Sequence, residues 1–259
     1  TVSPLGSREA ESILELWRQI ACGNQSGIFA ERLKLDGLDE AQVLARLGQV
    51  RRHPGAAEPV WLPDAEAVVA ALSGNLRGDG DGDGDSNSLS ASTPFGPLLQ
   101  PLVAATVAEL ARNPAWTSHL SEEARASATR QLWQSLADLF GLPLFEAFAA
   151  WRTVNAPGDV DFTDFVDHMR SEGIAALFTR YPVLARVAGT LRRHWIDSFG
   201  TFLVRLQADA DLLAERFGHE RPLAIDNLRY GLSDPHGGGE AVLELRLRGG
   251  DSLFYKPRS

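Results

Sequence analysis

A single cysteine, Cys22, is all the chain offers for thiol chemistry. One cysteine excludes an internal disulfide framework and any cysteine-cluster zinc site within the chain. Positive charge is in deficit: 25 Lys and Arg stand against 34 Asp and Glu, a formal net charge of −9. Such a balance argues against a general nucleic-acid or anionic-membrane surface. No apolar run approaches the roughly 18 residues of a membrane span, and no basic-then-apolar leader opens the chain. The remaining class is a cytoplasmic globular protein. Its 259 residues suffice for one large or two small domains, and 44% hydrophobic residues suffice for a sizeable core.

What is present is mostly helical periodicity. Ser7 opens a helix to about Cys22 with Ile13, Trp17 and Ile20 on one face, closed by Gly23-Asn24. A further helix follows Asp39, through Val43, Leu44 and Leu47. Trp61-Leu62-Pro63-Asp64 leads another, with Asp64 available as its N-cap. Thr93 to Leu99 leads a helix to about Ala111. A helix from Ser121 carries Leu132, Leu136 and Leu139 in one stripe, and Gly141 to Pro143 is expected to interrupt it before a second helix from Leu144 to Arg152. Asp161 is positioned to cap a helix through Phe165, Val166 and Met169, on which His168 reads as a surface or core-edge residue. Pro182 starts a long helix towards Phe217, with Leu191, Trp195, Phe199, Leu203 and Leu206 at core spacing.

Between these helices, residues 78–92 are low in complexity. Asp79, Asp81, Asp83 and Asp85 alternate with glycine and suggest a calcium loop, but the place that needs a bidentate glutamate holds Ser90. A flexible linker is the expectation. The chain then divides into an N-terminal helical region over 1–77, the linker over 78–92, a second helical region over 93–222 and a small β-rich lobe over 223–259. The fold class expected is mainly α with a C-terminal β-hairpin region, α+β.

The last stretch carries the chemistry. Leu223 to Arg229 is an extended lead into Tyr230 to Glu240. Leu243, Leu245 and Leu247 then alternate with Glu244, Arg246 and Arg248, the mark of a half-buried strand. Gly249-Gly250-Asp251 supplies a hairpin turn, and a third strand from Leu253 to Lys256 stops at Pro257. Gly237, Gly238 and Gly239 leave backbone N–H groups bare, so the loop either cradles phosphate oxygens or is only a hairpin. Lys256 returns one hairpin later as a point charge for phosphate. Strand, Gly-rich loop, strand, turn, strand with lysine is the opening order of a protein-kinase small lobe, although the GxGxxG and VAIK spellings are both missing. Asp234 and His236 form an acid/base pair at the lip of that loop, or Asp234-Pro235 merely caps a turn.

Ser233-Asp-Pro-His-Gly-Gly-Gly239, followed by Phe254-Tyr-Lys-Pro-Arg-Ser259, resembles the dehydratase domain of class II (LanM-type) lanthipeptide synthetases. Members typically read Gly-Asp/Ser-Asp-x-His-x-x-Gly and then Tyr-Lys-Pro-Arg. The likeness extends to Phe29-x-Glu-Arg-Leu33 with Asp36-Gly37, Phe95-Gly96 with Leu98-Leu99, Tyr181-Pro-x-Leu-x-Arg186, Trp195, and Arg205-Leu-x-x-Asp209. The resemblance implies an enzyme of lanthipeptide (bacteriocin) biosynthesis that uses ATP and Mg2+ to phosphorylate Ser and Thr of a leader-bearing precursor peptide. It then eliminates phosphate, and a zinc-dependent (Zn2+) cyclase elsewhere in the enzyme forms thioethers. Lys256 is implied as the phosphate-contacting lysine, Asp234 and His236 as catalytic, and Gly237, Gly238 and Gly239 as the nucleotide loop. Partners implied are the precursor peptide and the remainder of the synthetase. The sequence starts at Thr1 and stops three residues after Lys256, so the expectation is the front of a longer enzyme, inactive by itself. The alternatives are a noncatalytic helical module that binds the precursor peptide or a partner, and an unrelated helical domain with a chance hairpin.

Overall fold

A computed structural model describes residues 7–23, 25–47, 57–74, 90–155, 161–234 and 237–257. The chain divides into two compact units, Thr1–Glu58 and Pro59–Ser259. The linker expected over 78–92 lies outside the described residues from 78 to 89; its last three residues, 90–92, are helical, with Ser90 buried.

The first unit holds three helices: α1 (Ser7–Cys22), α2 (Ser26–Leu35) and α3 (Glu40–Arg46). Leu14, Phe29, Leu33 and Val43 form its core. Asp39 caps α3 in a reciprocal box: its carboxylate accepts from Gln42 N at 2.7 Å, and Gln42 Oε1 accepts from Asp39 N at 3.0 Å. The stripe expected on α1 is not the buried one. Ala10 and Leu14 face the core, whereas Ile13 and Ile20 are exposed and Trp17 meets Phe29 only edge-on at 5.2 Å.

The second unit is a helical body with a small sheet laid against it. Its helices are α4 (Leu62–Leu72), α5 (Gly96–Leu110), α6 (Ala115–Ser118), α7 (Glu122–Asn155), α8 (Phe162–His168), α9 (Ile174–Arg180) and α10 (Pro182–Phe217). A π-helical turn, Met169–Gly173, joins α8 to α9. The sheet contains β1 (Ile225–Arg229), β2 (Leu243–Leu247) and β3 (Ser252–Tyr255) in the order β1–β2–β3, all antiparallel. The fold is therefore mainly α with a C-terminal β region, as the pattern of residues predicts.

Two helices depart from their expected form. Gly141 and Pro143 do not interrupt α7, which runs unbroken from Glu122 to Asn155. Proline inside a helix forfeits one hydrogen bond and crowds the preceding turn. Phe140 and Leu144, both buried on either side, hold the backbone helical through tertiary packing that outweighs this local cost. Asp64 does not cap α4 either. The helix starts earlier, at Leu62, with Pro63 in its first turn, and the Asp64 carboxylate turns instead to Arg192 and Arg193 of α10.

The approach of α4 to α10 depends on Gly189. A Cβ there would lie 2.8 Å from both the Ala65 nitrogen and the Asp64 carbonyl carbon, closer than nonbonded backbone atoms permit. Beside that contact, Arg192 Nη1 donates to Asp64 at 3.1 Å, Arg192 Nη2 donates to Glu109 of α5, and Arg193 Nη2 donates to Asp64 at 2.8 Å. Three helices are thus joined by one nearly buried ionic cluster, with only 7% of the Arg192 side chain exposed. At the start of α5, Phe95 adopts φ 59°, a left-handed conformation that costs about 1–2 kcal/mol for a side-chain-bearing residue. Its buried ring packs against Phe148 and Phe165, at 6.2 and 6.1 Å.

The sheet is fixed to the helical body at β1. Ile225 N donates to His119 O at 2.8 Å, Ser121 N donates to Ile225 O at 2.9 Å, and Ser121 Oγ donates to Asp226 O at 2.9 Å. His119 Nδ1 lies 2.8 Å from Leu223 O. A carbonyl only accepts, so this nitrogen carries the proton. Leu243, Leu245 and Leu247 are buried on the inner face, as expected from their alternation, and Leu228 of β1 is buried with them.

Candidate functional site

Antiparallel order brings the end of β1, the start of β2 and the end of β3 to one end of the sheet. The Gly-rich loop spans this end, and Lys256 follows the last residue of β3 there. Cross-links hold the pieces in register. Val242 N donates to Ser233 Oγ at 3.2 Å, and the adjoining Leu243 pairs with Tyr255. Asp234, Gly237, Gly238, Gly239 and Lys256 are thereby gathered at one end of the sheet by connectivity. Pro235 and His236 lie outside the described residues.

The three glycines are not equivalent. Gly237 and Gly238 are exposed, and a Cβ at either would meet nothing within 4 Å. Gly239 closes onto α10: a Cβ there would lie 2.8 Å from the His194 Cβ, and its φ is 78°. Its carbonyl accepts from the Tyr230 hydroxyl at 2.6 Å, and the Tyr230 ring stacks on Phe199 at 5.8 Å. The sequence reading treats all three as bare loop backbone; the structure assigns Gly239 to anchorage and leaves Gly237 and Gly238 open. Burial pushes the Tyr230 hydroxyl above its ordinary pKa, because the phenolate would lose hydration. The neutral phenol is the donor, so this anchor is fully present below the ordinary tyrosine pKa and is lost as pH rises through the raised value.

Substitution at these glycines separates the two roles. Gly239→Ala combines left-handed strain with a clash against α10 and is expected to destabilise the protein by about 1–3 kcal/mol. Gly238→Ala meets no neighbour and should cost about 1–2 kcal/mol from its φ of 78° alone. Hydrogen exchange in residues 230–242 tests the difference: only the Gly239 variant should lose protection at Val242 N.

Lys256 and Asp234 are exposed, and among the described residues no ion pair holds either one. Behind them, the sheet is braced by contacts that the sequence reading did not assign. Arg205 of α10 donates to the Tyr255 hydroxyl at 2.6 Å, and the Tyr255 ring packs on Phe202 at 5.2 Å. Both positions stood in recognised stretches, Arg205 in the helical motif and Tyr255 beside the lysine, but no spacing rule linked residues fifty places apart. Among the described residues, no group of three or more His, Cys, Asp and Glu side chains is arranged to hold a metal ion.

A cleft elsewhere in this unit lies between α7, α8, the π-helical turn and α9, lined by Trp151, Phe165, His168, Arg180 and Tyr181. His168 is half-buried there and stacks on Trp151 at 6.3 Å, a core-edge setting. The Tyr181 hydroxyl donates to Glu146, and that hydrogen bond raises its pKa.

The helix, loop and sheet that build the site coincide with a known sequence family. Residues 181–259 match the model of a domain of unknown function, DUF4135. DUF4135 is found in lanthionine synthetase-like proteins. The match opens at Tyr181, immediately before α10, and continues through the loop anchored on that helix to the end of the chain. No curated protein matches the chain. Among the described residues, no helix is long and apolar enough to cross a membrane.

Proposed function

We propose that the chain is the N-terminal portion of a class II lanthipeptide synthetase, and that its DUF4135 region begins the nucleotide-binding lobe of the dehydratase. The observation that carries this reading is that strand order brings an open Gly237-Gly238 backbone and Lys256, which has no ion pair among the described residues, to one end of a three-stranded antiparallel sheet. The family match over the same residues supports it. Exposed backbone N–H groups suit phosphate oxygens, and an ammonium free of carboxylate partners suits their charge.

ATP, when bound, supplies the phosphoryl group that turns the hydroxyl of a peptide Ser or Thr into a leaving group. Lys256 neutralises phosphate charge, and the loop backbone orients it. Asp234 and His236 serve as the acid/base pair: removal of the α-proton leaves its electron pair to form the Cα–Cβ double bond as phosphate departs. Asp234, Glu240 and Glu244 are the acidic residues at this end of the sheet, and among the described residues no three are grouped to hold a metal ion, so any Mg2+ would be held largely by the nucleotide phosphates. The peptide to be modified and the remainder of the synthetase are the partners in this reading.

Calorimetric titration of the 259-residue chain with Mg2+·ATP tests it. Saturable binding is expected, with Lys256→Ala weakening it at least tenfold. Absence of binding, or binding indifferent to Lys256→Ala, would sink the assignment and leave a helical module that binds peptide or partner without nucleotide.

A further inference from the structure

The outer face of the sheet carries a large aromatic with no ring or core contact among the described residues. Along β3, Leu253 and Tyr255 turn inward against the helical body, while Ser252, Phe254 and the following Lys256 are exposed. Phe254 is 58% exposed. It pairs directly with Glu244 of β2, whose own carboxylate is engaged by Arg229 at 3.5 Å. Lys256 lies one residue past the strand, but it precedes Pro257. A residue before proline is confined to extended conformations, so the alternation of faces carries through Lys256.

Phe254 and Lys256 therefore share one face, about 6.8 Å apart along the strand. Lys256 stands at the sheet end that bears the Gly-rich loop, and Phe254 stands one step back from it. That spacing matches the ribose that separates a nucleobase from its first phosphate. We infer that Phe254 is the stacking platform for the nucleobase, and that the nucleotide lies along the outer face of β3 with its phosphates toward Lys256 and Gly237-Gly238. The inference rests on the proposed nucleotide site and adds where the base binds and which residue selects for it. An aromatic ring stacks on any base, so Phe254 discriminates nucleotides from bare polyphosphate rather than one purine from another. The inner face is closed to this role: Tyr255 is committed there to Phe202 and Arg205.

The test titrates the whole chain with Mg2+·ATP and, in parallel, with Mg2+·tripolyphosphate, which lacks base and sugar. Phe254→Ala is expected to weaken ATP about tenfold and leave tripolyphosphate unchanged. Phe254→Trp is expected to restore ATP binding, and Lys256→Ala to weaken both ligands. Because the Phe254 ring projects outward, the variants should retain the wild-type melting curve. If ATP binds and responds to Lys256→Ala but not to Phe254→Ala, the platform is overturned while the nucleotide site stands. If Phe254→Ala instead converts a dimer to a monomer in sedimentation with ATP binding intact, the face is a self-association surface and the inference fails. If wild-type protein binds neither ligand, the nucleotide site and the platform fall together.

Discussion

Phe199→Ala is expected to lower the unfolding free energy by about 3–5 kcal/mol. Phe199 is only 1% exposed and stands midway along α10, touching Trp195 at 4.9 Å, Phe202 at 6.5 Å and Tyr230 at 5.8 Å between ring centroids. Truncation opens a cavity on a rigid helix that cannot collapse to fill it, so the cavity cost adds to the lost burial. The effect should not stop at stability. Tyr230 would lose the surface on which it stacks, and with it the geometry that delivers its hydroxyl to Gly239 O. On the nucleotide reading proposed above, the variant is expected to bind Mg2+·ATP more weakly than its remaining folded fraction explains. Phe199→Leu should recover most of the stability but not the stacking. Denaturant titration followed by tryptophan fluorescence gives the stability; exchange at the Val242 amide reports the Tyr230 anchorage. Wild-type protection at Val242 in the alanine variant would show that Tyr230 is held by other means.

How much of this was legible beforehand depends on the range of the interaction. The α10 stripe of Leu191, Trp195, Phe199, Leu203 and Leu206 follows from spacing on one helix: the last four side chains are buried, and Leu191 is half-buried against the same core. The β2–β3 hairpin follows from the alternation of Leu243, Leu245 and Leu247 and from the positive φ of Gly249 and Gly250. Asp161 caps α8 because an acidic side chain before a helix has N–H donors within its own reach, at 2.7 Å to Thr163 N. What sequence reasoning missed is long in range or decided by competition. Asp64 has the pattern of a cap, and two arginines more than 120 positions away take it instead. Pro143 has the pattern of a helix break, and packing around Phe140 and Leu144 overrides it. On α1, the apolar face with Ile13 and Ile20 reads as core, but only the face with Ala10 and Leu14 is covered within its unit. At the site, the residues at one sheet end follow from strand order, whereas the split between Gly239 and the two open glycines depends on how closely α10 passes. Nothing in a run of three identical residues encodes that difference.

The ionic cluster at Asp64 makes the other large expected effect. Asp64→Ala should destabilise the protein by about 3 kcal/mol, although the same change at a surface ion pair is worth about 0–1 kcal/mol. The difference comes from Arg192. Its side chain is 7% exposed, so when Asp64 is removed its guanidinium is not rehydrated and retains Glu109 as its acidic partner. Arg193 loses its 2.8 Å contact in the same step, but it is 40% exposed and recovers hydration, so most of the cost falls on Arg192. A matched control is Glu123→Ala, which breaks the 2.6 Å pair with Arg130 at side-chain exposures of 58% and 37%. That variant should be nearly neutral, and its small effect should vanish at high salt, whereas the Asp64 effect should persist because mobile ions screen a buried pair poorly. Arg192→Met should be milder than Asp64→Ala, since Asp64 and Glu109 both keep Arg193 as a partner. Adding Arg192→Met to Asp64→Ala should therefore restore stability rather than remove more of it, a coupling that a double-mutant cycle reads directly. If the two losses simply add, the cluster is not a unit, and α4 is held to α10 by the close approach at Gly189 alone.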